Sequence, residues 1–263
     1  MTESIYPKRI IITGASGEVG GALARLLARP GAHLSLWGRD SARLAKVADD
    51  CRAIGAEVEA RSLDLTDVEG AIAALLAEDD VAPFDMAVFA SGLGDIRAPG
   101  ALVEDPAQVV RLAQINFTAP AALAAALAGR MAARGRQGEK KARIVIIGSA
   151  AAFHALPIAA AYAGSKAGLA RFTEALRIGV RAHGVSVTLA SPGFIDTAAG
   201  RAVPGARPMA LSAEEAATRI LRAALAGKPH LVTPWPFAVL RVLDRALPEI
   251  LRARLLLALT GSG

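Results

Sequence analysis

The chain has 263 residues, enough to build a sizeable core in one large domain or two small ones. Hydrophobic residues make up 53% and mean hydropathy is +0.39, much of it from alanine, which favours helix without demanding deep burial. The formal charge of +6 raises a nucleic-acid partner, but the one dense basic run, Arg130–Arg143, carries no interleaved aromatics for base stacking and reads as a helix end and solvated loop. No nucleic-acid partner is expected. A single cysteine, Cys51, excludes an internal disulfide, and nothing in the sequence suggests a metal site. With no signal-peptide pattern in MTESIYPKR, the expected location is the cytoplasm. The longest uncharged span, Ile144–Ser165, contains Gly148, His154, Pro157 and Gly164 and reads as strand, loop and helix start rather than a membrane span.

Short apolar runs alternate with longer Ala/Leu segments, the pattern of a parallel sheet with crossover helices. Strands are predicted at Arg9–Thr13, His33–Trp37, Glu57–Ser62, Met86–Ala90, Ile144–Ser149, Ser186–Ala190 and His230–Thr233. Helices are predicted at Gly20–Ala28, at Ser41–Ile54 between the N-cap Asp40 and the C-cap Gly55, at Leu112–Met131 and at Tyr162–Ala182. Gly193–Leu211, rich in Gly, Pro and Ala, predicts no regular element, and a loop of that length reads as a functional lid. Neither a repeat nor a linker interrupts the chain, so one doubly wound domain over residues 1–263 is expected.

The first strand runs into TGASGEVG, residues 13–20. Strand, glycine turn and helix in that order aim free backbone N–H groups and the positive end of a helix dipole at an anion. Gly14 permits the tight turn, Gly17 a side-chain-free approach, and Gly20 close packing of helix on strand. Glu18 falls in the first helical turn, where a carboxylate suits the dipole, and its side chain is expected to face solvent, away from a bound pyrophosphate. The second predicted strand ends in Gly38-Arg39-Asp40. An acidic residue there would read a free ribose 2′-hydroxyl, whereas Arg39 suits a 2′-phosphate and points to NADP over NAD.

Tyr162 and Lys166 stand at i and i+4 on one helix face, where a cation can lower a phenol pKa, and Ser149 ends the preceding predicted strand. The ordered set TGASGEVG, SLDLTD, INFTAP, IIGSAA, YAGSK and SPGFIDT resembles the short-chain dehydrogenase/reductase family over nearly the whole chain. That resemblance implies a single Rossmann-type α/β domain: a seven-stranded parallel sheet of order 3-2-1-4-5-6-7 with helices on both faces. It implies a tetrad of Asn116, Ser149, Tyr162 and Lys166. Tyr162 would exchange a proton with the substrate oxygen and Ser149 would hold that oxygen. Lys166 would bind the nicotinamide ribose, and Asn116 would hold a relay water. The cofactor contacts implied are Gly14, Ser16, Gly17, Glu18, Val19 and Gly20 in the loop and Arg39 after the second strand. Further along the chain they are Asp64, Leu65, Ala90, Ser91, Gly92, Tyr162, Lys166, Pro192, Gly193, Ile195 and Thr197.

Two features depart from the family pattern. Phe89-Ala90-Ser91-Gly92 replaces the usual Asn-Asn-Ala-Gly, so the asparagine's structural hydrogen bonds must be replaced or absent. The T-G-x-x-G-x-x-G spacing matches the longer, sugar-modifying branch, but Asn116 and the late Pro-Gly motif are those of the short, single-domain type. Phe153, His154, Leu156, Phe194 and Met209 are the expected pocket wall, suited to an apolar or bulky carbonyl compound. His154 reads as a satisfied histidine without a catalytic role. The basic, Leu-rich extension 235–260, broken at Pro248, reads as an oligomer interface or active-site cover ahead of a peripheral membrane anchor. The resemblance implies a homodimer or homotetramer. The activity expected is NADP(H)-dependent carbonyl reduction or the reverse alcohol oxidation. A non-catalytic NADP-binding redox sensor and a sugar-nucleotide epimerase or dehydratase are the alternatives.

Overall fold

The computed structural model describes residues 6–136, 142–202, 207–252 and 254. Seven parallel strands form one sheet in the order β3-β2-β1-β4-β5-β6-β7. They are β1 (Arg9–Thr13), β2 (His33–Gly38), β3 (Glu57–Ser62), β4 (Met86–Phe89), β5 (Ala142–Ile147), β6 (Val185–Pro192) and β7 (His230–Thr233). Alternate residues of the central strands feed two cores. Ile10, Ile12, Met86 and Val88 pack beneath α1 (Glu18–Leu27), α2 (Ser41–Ile54) and α8 (Ala213–Leu225). Ile11, Ala87 and Phe89 pack beneath α3 (Val68–Val81), α5 (Ala119–Arg136) and α6 (Ala160–Val180). Burial on both faces is why these strands read as continuous apolar runs. The edge strand β3, by contrast, is mostly exposed.

Helix boundaries follow local chemistry. Asp40 accepts from Arg43 N at the start of α2, and Gly55 ends it in the left-handed conformation (φ 106°). Two helices absent from the sequence reading, α3 and α8, are capped by Asp67 and by a reciprocal Ser212/Glu215 capping box. The helix expected at Leu112–Met131 begins earlier and is broken. Helix α4 (Pro106–Ala113) passes through a π-helical turn, Gln114–Thr118, into α5. This run, Pro106–Gly135, is long and apolar enough by composition to cross a membrane, and 56% of its most apolar window is buried in the fold. At its far end Arg134 and Arg130 clamp the buried Asp79, so these members of the basic run are engaged within the fold. Residues 137–141 of that run lie outside the described residues.

The expected loop 193–211 contains a short helix, α7 (Ala198–Ala202), and residues 203–206 of it lie outside the described residues. Its two ends are stitched together by a bridge between Ile195 and Leu211 and by Asp196 N donating to Leu211 O at 2.8 Å. In the extension, α9 (Pro236–Ala246) stops before Pro248, which opens a new helical turn closed by Arg252 N donating to Pro248 O. Residues 253 and 255–260 of the extension are outside the described residues.

One buried hydroxyl in the sheet has no partner among the described residues. Thr13 pairs with Phe89 across β1 and β4, and its Oγ1 is buried with no hydrogen-bond partner. A buried hydroxyl without a partner costs about 1–3 kcal/mol. Thr13→Val is therefore expected to raise stability by about 1 kcal/mol, read as a higher denaturation midpoint at unchanged slope.

Candidate active site

The strand order reverses between β1 and β4, so the crevice at their carboxyl ends is where this architecture takes a ligand. Gly14 turns there with φ 71°, and a Cβ on it would lie 2.7 Å from Ser91 N. A Cβ on Gly20 would fall 2.2 Å from Gly14 O, so α1 rests directly on the turn. Gly17 is the exposed N-cap of α1 and supplies no side-chain cap, leaving first-turn N–H groups for an anion. Glu18 is exposed as expected, but its carboxylate is not free in solvent. Its Oε1 accepts a hydrogen bond from Ala198 N, at the start of α7, at 2.6 Å.

The adenosine end is simpler. A Cβ on Gly38 would meet Ser16 Oγ at 2.6 Å, so Gly38 makes room for Ser16 as well as removing an acid. Arg39 is exposed at the mouth and has no ion pair among the described residues, whereas Arg43 and Arg61 are paired with Asp40 and Glu78. Asp64 caps its own turn by accepting from Thr66 N, and Leu65 is packed into the core beside it.

Four side chains meet beyond the β4 and β5 ends. Ser149 lies past the end of β5, two residues beyond the strand, and caps a 3₁₀ turn, Ala150–Phe153, by accepting from Ala151 N at 3.1 Å. Its hydroxyl is also hydrogen-bonded to Tyr162. Asn116, fully buried in the π turn, binds both backbone groups of Leu93 and donates to Ser165 Oγ. Lys166 is 4% exposed; its Nζ donates to Ile147 O at 3.2 Å, and a Cβ on Gly92 would lie 3.1 Å from it. Gly92 is thus the space that Lys166 and Asn116 share. The sequence reading has the Lys166 cation lowering the Tyr162 pKa. In the structure burial dominates and pushes the phenol up, and only the Ser149 hydrogen bond opposes it. Burial also holds the Lys166 ammonium down, at about 8.

Two supporting residues were not singled out from the sequence. Ser165, inside YAGSK, donates to Tyr162 O at 2.8 Å and accepts from Asn116. Glu104 accepts from Ala161 N at 2.7 Å in the first turn of α6. Its only sequence signal is an acid near Asp105-Pro106, which marks the start of α4 instead.

Phe153, His154 and Leu156 line a groove of about 620 Å³ between the segment after β5 and α6. Phe194 and Met209 are not part of it. Phe194 stacks edge-on with Phe237, and Met209 is exposed in the left-handed region (φ 58°). His154 packs edge-on against Phe153. Phe153 is also met by Arg241 of α9, 4.7 Å from the ring centroid, and edge-on by His230. His230 is bonded to Ser191 Oγ and Arg241, and burial together with Arg241 holds its pKa down to about 4. Helix α9 is therefore docked on the segment that carries Ser149.

The short chain dehydrogenase model matches residues 8–207, which include the glycine turn and all four clustered side chains. The chain belongs to the short-chain dehydrogenase/reductase family. It is the single-domain type, an NAD(P)-dependent oxidoreductase acting on a small molecule. An uncharacterized oxidoreductase of Myxococcus xanthus is 30% identical over 251 residues, covering 95% of this chain and 96% of that one. Among solved structures, a Sphingobium yanoikuyae short-chain dehydrogenase in complex with NADPH superposes with a TM-score of 0.78. It is 26% identical and covers 91% of this chain and 94% of its own. The bulky-bulky ketone specific alcohol dehydrogenase of Comamonas testosteroni has a TM-score of 0.75 at 25% identity, covering 94% and 96%.

Because the folded state releases the Lys166 proton before the unfolded chain does, stability should rise as pH climbs from about 8 to the ordinary lysine value of 10.5. Lys166→Met should flatten that rise, checked by denaturant unfolding at stepped pH.

Proposed function

We propose that this oxidoreductase uses NADP(H) to interconvert an apolar or bulky ketone and its secondary alcohol. The observation that carries the reading is the meeting of Ser149, Tyr162, Lys166 and Asn116 beside the phosphate turn. The bound nicotinamide supplies and accepts hydride at its C4 position. The residues that would hold it are Gly14, Gly17 and Gly20 at the phosphates, Arg39 at the 2′-phosphate, and Lys166 with Gly92 at the ribose. Ser149 holds the carbonyl oxygen, and Tyr162 donates the proton that the new alkoxide needs. Burial pushes the Tyr162 phenol up, and the Ser149 hydrogen bond opposes that shift. Asn116 is braced by Leu93 and Ser165, and Ser165 holds the Tyr162 backbone. The NADPH complex of the Sphingobium enzyme and the bulky ketones of the Comamonas enzyme support the cofactor and substrate class. The apolar Phe153 and Leu156, carried on the segment that follows Ser149, support the same substrate class. The exposed Val242 and Leu243 on α9, with Trp235 just before it, support a homo-oligomer.

Tyr162→Phe should lower ketone reduction by about 10²–10⁴-fold while NADPH binding survives. Wild-type reduction should hold at neutral pH and fall above about 8 as Lys166 loses its charge. Turnover undiminished by Tyr162→Phe would exclude this chemistry. Binding of NADPH should exceed that of NADH by at least about tenfold, and Arg39→Ala should remove most of the difference. Equal wild-type affinities would refute the cofactor preference.

A further inference from the structure

Glu18 stands where side-chain-free backbone would serve a pyrophosphate better, and its carboxylate crosses to the segment on the other side of the crevice. Among the described residues, no other hydrogen bond joins residues 14–20 to residues 193–202. The acceptor is charged and the contact short, at 2.6 Å, which makes it one of the stronger kinds of hydrogen bond. Its donor, Ala198 N, follows Thr197 directly. Thr197 is itself fixed by N–H donation to Ile195 O and by accepting from Gly200 N. Ile195 and Asp196 are anchored to Leu211, and Gly193 N to Thr233 O, so the start of this segment is tied to its neighbours and Ala198, next along, is tied to Glu18.

A carboxylate beside two phosphate charges lowers affinity for a dinucleotide rather than raising it. What Glu18 supplies is therefore the tie. We propose that Glu18 is a positioning residue that latches the 193–202 segment to the phosphate turn and sets the rate at which the dinucleotide enters and leaves. The inference rests on the reading of this crevice as the cofactor site. Passage between the turn and the segment requires the bond to open in either direction, so the latch acts on the barrier and little on the equilibrium.

Stopped-flow fluorescence of NADPH binding and displacement tests it in the wild type, Glu18→Ala and Glu18→Gln. Glu18→Ala should speed association and dissociation together by about three- to tenfold, with a smaller change in Kd. Glu18→Gln keeps an acceptor oxygen without its charge and should fall between the two. Unchanged rates would overturn the proposal. So would faster association with slower dissociation and the same size of effect in both variants, the mark of simple charge repulsion. Amide exchange at Ala198 without NADPH is the second arm. It should quicken about tenfold in Glu18→Ala, and an unchanged rate would equally overturn the latch. Failure of the wild type to bind NADPH would refute the cofactor reading instead, and the exchange arm would still decide whether the tie exists.

Discussion

A lysine ammonium held in the interior against one backbone carbonyl is the constraint around which the site is arranged. Lys166 is nearly inaccessible, and its Nζ has Ile147 O as its hydrogen-bond acceptor. Charge in such a place is costly unless surrounding groups are placed to share it. Strand β5 ends at Ile147, which puts that carbonyl within reach, and the chain then turns so that Ser149 caps the next turn. Gly92 gives up its side chain to make the space, and Asn116 closes it from the other side. The π turn in the α4–α5 run delivers Asn116 to that point, a use to which such turns are often put.

The same economy of space governs the phosphate turn. Gly14, Gly20 and Gly38 each face a neighbour that a Cβ would strike, so the turn, the helix and the second strand are brought together at backbone distance. Gly17 is different: a Cβ there would meet only Gly14 O, at 3.2 Å, so its openness is toward the crevice. Gly14 and Gly20 thus close the turn and Gly38 of β2 makes room for Ser16, while Gly17 opens toward the crevice. Beside that opening stands Glu18, whose carboxylate is committed to the opposite wall.

The packing around the segment that follows Ser149 is a composite of distant chain segments. Phe153 follows Ser149, His230 begins β7, and Arg241 belongs to α9, yet the three stack as one unit, with Ser191 of β6 bonded to His230. A neutral His230 suits this stack, because Arg241 donates to its Nδ1 and leaves Nε2 to bind Ser191. The C-terminal helix, basic and amphipathic in sequence, turns Arg241 inward and leaves Trp235, Val242 and Leu243 exposed.

Much of this was legible in the sequence alone. Apolar runs marked strands β1, β2 and β4 to β6, because burial on both faces leaves little polar alternation to confuse the pattern. Asp40 and Gly55 bounded α2 to the residue, because caps act locally. The spacing of Tyr162 and Lys166 announced a shared helix face, and Gly14 and Gly20 announced close packing. Helices α3 and α8 escaped notice although Asp67 and the Ser212/Glu215 box cap them, and the break before Asn116 carried no proline or glycine to mark it. Phe194 meets Phe237 and Met209 stands exposed, contacts that aromatic and apolar residue types do not announce. The direction of the Tyr162 shift was misjudged for a related reason: helical spacing shows a nearby charge, while burial depends on everything packed around it. The sequence by itself determined the elements, their order and the chemistry they can carry, since these rest on short-range periodicity, caps and residue type. Tertiary structure alone decided that Glu18 binds Ala198, that Ser16 fills the space left by Gly38, and that Arg241 covers Phe153. Each of those contacts joins residues far apart in the chain, and only the packed sheet brings them within reach.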